Sequence, residues 1–183
     1  MRHLFYALTG RPGIGKTTAI KMVADILQGH GISVGGMYTL EIRKGSGRVG
    51  FEIIDITFGR RGVLAMAGSG AGPRVGRYVV DIASLENIGV EAVFSSLRER
   101  DVTILDEVGP MELKSSRFRE CVEALLSSSK PAVVTVHIKA DDPLVRKVKT
   151  AAGGNLIVLT EENRSQIPRL IAGRIAGELL GHA

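Results

Sequence analysis

Gly10-Arg11-Pro12-Gly13-Ile14-Gly15-Lys16-Thr17 stands between an apolar run, residues 4–8, and a segment of helical period that begins at Lys16. The run reads as a short buried strand. Ile20, Val23, Ala24 and Leu27 form one stripe of a helix expected over 16–28, with Gly29 and Gly31 ending it. The eight residues fit the phosphate-loop pattern at every specified position, and they fall between strand and helix as that pattern requires. A polyphosphate needs closely spaced main-chain N–H donors, so the glycines let the backbone approach, and side chains at Gly13 or Gly15 would obstruct it. Lys16 supplies a mobile charge for β- and γ-phosphates, and the Thr17 hydroxyl is placed to ligate Mg²⁺. Thr18 supports the helix start and completes the expected nucleotide-binding segment. The competing explanation is a glycine turn with a solvated lysine.

Outward from this loop, apolar runs rich in β-branched residues alternate with helical segments, as in a parallel sheet covered by helices. Strands are expected at 102–105, 132–136 and 156–159, and helices at 89–98, 116–126, 143–149 and 167–180. Residues 32–82 break the alternation. There, 37–42 and 50–56 flank Lys44-Gly45-Ser46-Gly47 as the arms of an antiparallel hairpin, with further strands at 63–67 and 78–82 around a glycine-rich stretch. The fold expected is an α/β sandwich: a mainly parallel sheet, helices on both faces, and an antiparallel hairpin insertion, all in one domain over residues 1–183.

At 183 residues the chain can bury a core without disulfides. The runs at 132–136 and 156–159 fall far short of the ~20 residues of a membrane span. One cysteine, Cys121, at an apolar helical position, excludes an intramolecular disulfide and reads as core. With no secretory leader pattern, the expected address is cytoplasmic. The formal charge of +5 suits a polyanion such as a nucleotide, and also suits nucleic acid, although no RNA-binding motif accompanies it. His3, His30 and His182 form no metal-ligand spacing with Cys121.

A phosphate loop needs an acidic partner, and Thr103-Ile104-Leu105-Asp106-Glu107 supplies one at the end of an apolar strand. Asp106 is expected to bind Mg²⁺ directly or through water. Glu107, just beyond the strand, is placed to orient and deprotonate the attacking water. The bland alternative is a polar strand end.

The segments GRPGIGKTT (10–18), VGRYVVD (75–81), DEVGPMEL (106–113) and LTEENR (159–164), in this order, resemble the THEP-type nucleoside-triphosphatase family, which includes the cancer-related nucleoside-triphosphatase. The resemblance spans nearly the whole chain. It implies a RecA-like P-loop core that hydrolyses several nucleoside triphosphates with Mg²⁺, slowly and with broad base tolerance. It carries the phosphate loop onto Gly10 to Thr17 and the acid pair onto Asp106 and Glu107. Pro110 stands where family members can carry lysine, so no electrostatic role of such a lysine transfers. Met111, Glu112 and Leu113 retain the rest of that segment, Met111 and Leu113 reading as packing residues.

Charge developing on the γ-phosphate calls for an arginine, and Arg60, Arg61, Arg74 and Arg77 surround glycine-rich turns. Arg77, inside a family-like segment, is the preferred catalytic candidate against the reading of an exposed arginine. Thr135 and His137 close the strand at 132–136, where a polar side chain can sense the γ-phosphate. Asn163 and Arg164 follow the last strand, where they can touch the base; the competing reading is that Asn163 or Ser165 caps the helix at 167. Three functions remain open: an NTP phosphohydrolase, a small-molecule or nucleotide kinase using the arginine-rich region as a lid, and a nucleotide-dependent switch binding RNA or protein.

Overall fold

A computed structural model of the chain describes residues 4–181; His3 and His182 lie outside them. The chain runs β1 (Phe5–Thr9), α1 (Lys16–Gly29), β2 (Val34–Lys44), β3 (Gly47–Asp55), β4 (Arg61–Ala67), β5 (Arg74–Val75) and β6 (Tyr78–Val80). It continues through α2 (Ile82–Ser84), a π turn (Leu85–Val90), α3 (Glu91–Glu99), β7 (Val102–Val108) and a 3-10 turn (Glu112–Lys114). α4 (Ser116–Ser127), β8 (Ala132–Val136), α5 (Pro143–Ala152), β9 (Leu156–Val158) and α6 (Ile167–Leu180) complete it.

β1 is buried along its whole length because alternate residues enter opposite cores. Phe5 and Ala7 belong to one core with Phe118, Val122 and Leu125 of α4 and Leu144 and Val148 of α5, while Tyr6 and Leu8 belong to the other with Ile20, Val23 and Leu27 of α1 and Ile171 and Ile175 of α6. A strand apolar on both faces is stable only inside a sheet covered on both sides. Each fully buried Leu, Ile, Val or Phe contributes about 1.5–3 kcal/mol. Cys121 lies in this core, as expected, and burial pushes its thiol up to about 12.

The strands of the described residues form one sheet in the order β5-β6-β4-β3-β2-β7-β8-β1-β9. The five strands from β2 to β9 in that order are mutually parallel, and β8 separates the loop strand β1 from the acid strand β7. The antiparallel part is larger than a hairpin. β2 pairs parallel with β7 over residues 34–37 and then antiparallel with β3, and β4, β6 and β5 extend the meander to the sheet edge. Gly36 permits the junction: at φ +108°, a Cβ there would lie 1.9 Å from the Ile104 carbonyl oxygen.

Two other local expectations shift. Helical backbone begins at Ile82, where the Asp81 side chain accepts from the Ser84 N–H, and passes through the π turn into α3. β7 runs on past Leu105, so Glu107 lies inside the strand rather than beyond it.

Candidate active site

β1 delivers the chain to the loop at Thr9, and α1 takes it up at Lys16. Gly13 and Gly15 adopt φ +78° and +104°, and a Cβ on either would meet no protein atom within 4 Å. Backbone conformation therefore demands glycine there, and the space above both remains open. Between them Ile14 turns inward, 2% exposed, and pins the loop to the α1/α6 core. The Ile14 N–H donates to the Arg11 carbonyl at 3.2 Å, while Arg11 and Pro12 stay exposed. Gly15 caps α1 without a side-chain hydrogen bond, leaving the first helical N–H groups to an anion. Lys16 Nζ donates to the Gly10 carbonyl at 3.2 Å, which folds the ammonium back over the loop.

The segment 159–164 braces this loop from outside. Arg11 pairs with Glu161, and Arg164 donates to the Ile14 carbonyl at 3.4 Å. A cleft of ≈ 350 Å³ opens between the two segments, lined by Arg11, Ile14, Val158, Leu159, Thr160, Glu161 and Glu162.

Asp106 comes to the loop from β7. It is 1% exposed and fully engaged: Oδ2 accepts from the Thr17 hydroxyl at 2.8 Å and from the Thr39 N–H and hydroxyl at 3.3 Å each, and Oδ1 accepts from the Thr135 hydroxyl. Three elements, α1, β2 and β8, thus fix one carboxylate. Glu107 lies beside it, and its acid is pushed up to about 7, chiefly by burial and next by the Asp106 charge, with Lys16 opposing. Glu112, in the turn after β7, is raised well above its ordinary value by burial, then by Glu107. His137, at the end of β8, is shifted the other way, by burial and by the cations Lys16, Lys149 and Lys139. Its Nδ1 accepts from the Lys139 N–H at 3.3 Å, so a neutral ring carries its proton on Nε2.

The donor set suits a hard divalent cation. The Thr17 hydroxyl and the Asp106 carboxylate already meet, and Mg²⁺ is commonly held by one or two protein oxygens together with substrate phosphates and water. Among the described residues, no cluster of three or more His, Cys, Asp or Glu could hold a metal elsewhere.

Gly10 to Thr17, Asp106, Glu107 and Thr135 are therefore brought together, while Thr18 sits exposed in the first turn of α1. Arg77 is held elsewhere. In the meander its guanidinium donates to the Arg48 carbonyl and, at 3.1 Å, to the Tyr78 hydroxyl, which draws it into the β3/β6 network and not to the phosphate loop. Asn163 staples its own turn: Oδ1 accepts from the Thr160 N–H at 2.8 Å, and Nδ2 donates to the Val158 carbonyl at 2.9 Å. Its side chain does not cap α6, whose N-cap, Gln166, has no side-chain bond. Thr39 was not singled out from the sequence, and Glu112 appeared only as part of a segment. A threonine in a strand carries no local signal, but a glutamate within an apolar turn is a sign of a buried carboxyl.

A family model described as NTPase matches residues 5–172. The nucleoside-triphosphatase THEP1 of Thermofilum pendens is 44% identical over 172 residues, covering 93% of this chain and 94% of that protein. Its counterpart from Methanopyrus kandleri is 48% identical over 138 residues, covering 75% and 76%. The crystal structure of THEP1 from Aquifex aeolicus superposes with a TM-score of 0.82 at 32% identity, over 93% of this chain and 98% of that one. The solution structure of a human cancer-related nucleoside triphosphatase gives 0.72 at 32% identity, over the whole of both chains. Matched over most of its length in sequence and in three dimensions, the chain belongs to the NTPase family.

Proposed function

We propose that the protein hydrolyses nucleoside triphosphates to the diphosphate and inorganic phosphate, using Mg²⁺ and discriminating little among bases. The observation that carries this reading is the meeting of Thr17 and Asp106 at 2.8 Å with Glu107 next in the strand. The open N–H groups of Gly13, Gly15 and the start of α1 grip the phosphate tail, and Lys16 leaves the Gly10 carbonyl for the β- and γ-phosphates. Thr17 and Asp106 would hold Mg²⁺, which would supply positive charge to the phosphate oxygens. Glu107 takes the proton of the attacking water as its oxygen bonds to the γ-phosphorus and the bond to the β–γ bridging oxygen breaks. Asp106 cannot do this, because its oxygens are committed to three hydroxyls and a main-chain N–H.

The cleft between Arg11 and 158–162 suits the base. Val158 is 54% exposed there and offers an apolar face, while Glu161 is spent on Arg11 and Asn163 on its own turn. Stacking without base-specific donors supports broad tolerance. The kinase reading has less support, since the arginines of a lid are engaged: Arg60 with Asp55, Arg61 with Glu52, Arg74 with the Gly68 carbonyl, and Arg77 as described. No helix among the described residues is long and apolar enough to cross a membrane.

Phosphate release with Mg²⁺ across several triphosphates, with and without candidate acceptors, tests the proposal. Comparable release from each without an acceptor is the expected result. Negligible release, with transfer appearing only when an acceptor is supplied, would establish a kinase instead.

A further inference from the structure

Tyr78, on β6, is 7% exposed, and two arginines converge on its hydroxyl. Arg48 Nε donates to the Tyr78 oxygen at 2.9 Å and Arg77 Nη2 donates to it at 3.1 Å, so the two nitrogens lie no farther apart than those distances combined. Both guanidiniums also stand by the Tyr78 ring, with their central carbons 5.7 and 5.2 Å from its centre, and that of Arg48 lies 4.9 Å from the centre of the Phe51 ring. Aromatic faces attract cations, and these rings hold the pair in place.

Charge and donors are both in excess here. Among the described residues the one carboxylate paired to either arginine is that of Glu41, which accepts from Arg48 Nη1 at 2.9 Å and from Arg43 Nε at 3.0 Å. The Arg77 guanidinium meets only the Arg48 carbonyl and the Tyr78 hydroxyl, so three cations stand around one acid. A guanidinium carries five N–H groups, and Arg48 and Arg77 each spend two of them on these partners. The Tyr78 oxygen receives two N–H groups, which fill its lone pairs, and among the described residues nothing accepts its own O–H proton. A buried hydroxyl left without an acceptor is costly until one arrives. The way in is from solvent, since Arg77 is exposed and the Arg48 side chain is 39% exposed.

We propose that Arg48, Arg77 and Tyr78 form a second oxyanion site, on the meander, that takes a phosphate dianion: free phosphate, or the terminal phosphate of a small phosphorylated molecule. Guanidinium forks match phosphate oxygens, and two of them beside a free O–H offer more donors than a carboxylate can use well. A dianion also balances the surplus of cations that Glu41 leaves. The site is built on β3 and β6 and uses no residue of the phosphate loop, so it stands whatever reaction that loop serves.

The arginine Nε–H signals of the full chain, followed by NMR with the phosphate loop filled by Mg²⁺ and a nonhydrolysable ATP analogue, test the proposal in titrations with inorganic phosphate and with AMP. The Arg48 and Arg77 signals are expected to shift and saturate. Tighter saturation by AMP supports the site with a phosphorylated organic molecule as its ligand, and equal or tighter saturation by inorganic phosphate supports it with free phosphate. Tyr78→Phe, which keeps the ring and removes the O–H, and Arg77→Met are each expected to weaken binding by about tenfold or more. Arg74→Met, at an arginine of the same meander that donates to the Gly68 carbonyl, is expected to change it little. Melting temperatures accompany each variant, and Tyr78→Phe carries the test if Arg77→Met does not fold. Arg48 and Arg77 signals that respond to neither probe would overturn the proposal, as would a Tyr78→Phe variant that binds like the wild type. So would an Arg74→Met variant as impaired as Arg77→Met, since the response would then be to overall charge and not to a built site.

Discussion

The hydroxyl of Thr17 donates to Oδ2 of Asp106 at 2.8 Å, joining the first turn of α1 to the end of β7 although β8 lies between β1 and β7 in the sheet. The two side chains proposed to hold Mg²⁺ are thereby brought together by the fold itself. Asp106→Asn keeps the shape and removes the charge. It is expected to raise the Mg²⁺ concentration for half-maximal phosphate release by at least about tenfold, while nucleotide binding in the presence of a chelator stays as in the wild type. A Mg²⁺ titration of phosphate release checks this.

Lys16, proposed to meet the β- and γ-phosphates, has as its present partner a single carbonyl, that of Gly10, at 3.2 Å. Exchange of that carbonyl for a phosphate oxygen gains a charge-assisted hydrogen bond of about 1.5–3 kcal/mol. Lys16→Ala is expected to weaken triphosphate binding by about ten- to a hundredfold, read by calorimetric titration, with little change in melting temperature.

Gly13 separates conformation from packing. At φ +78° an alanine costs about 1–2 kcal/mol of backbone strain, but its Cβ would touch nothing in the protein. Gly13→Ala is therefore expected to lower the melting temperature modestly and to weaken nucleotide binding by more than that strain accounts for. Equal affinity in the variant would mean that the phosphates do not approach this face of the loop.

Burial, and secondarily Asp106, raise Glu107 from 4.5 in the unfolded chain to about 7 in the folded one. Between those values the folded protein binds more protons than the unfolded protein, so this group makes stability fall as pH rises through the interval, with the full cost present above it. Glu107→Gln removes the group. Without metal or nucleotide, the variant is expected to melt a few degrees above the wild type at about pH 8.5 and with little difference at about pH 4.5, given about 2–4 °C per kcal/mol for a chain of this size. Calorimetry at the two pH values checks both sign and interval.

What was legible in the sequence is what is local in it. Gly10 to Thr17 and Asp106-Glu107 are short runs whose chemistry depends on residues next to one another; the first stands where the strand and helix patterns put it, and the second falls inside β7, which runs on past both acids. Thr39 reaches Asp106 only because β2 lies parallel to β7 over residues 34–37, a pairing between segments far apart in the chain. Arg77 differs for the same reason: the glycine-rich turn before it is local, whereas the Arg48 carbonyl that holds its guanidinium lies on β3, far off in the chain. Asn163 does not cap α6 with its side chain, which closes the turn between β9 and α6. The meander was visible as separate β-branched runs, but nothing local told that β2 begins it within the parallel sheet.

Glu107→Gln compared with wild type in a single turnover, nucleotide affinity and phosphate release being measured on the same samples, decides whether this carboxylate activates water. The account predicts unchanged affinity and release slower by about a hundredfold or more. Release at the wild-type rate would contradict it.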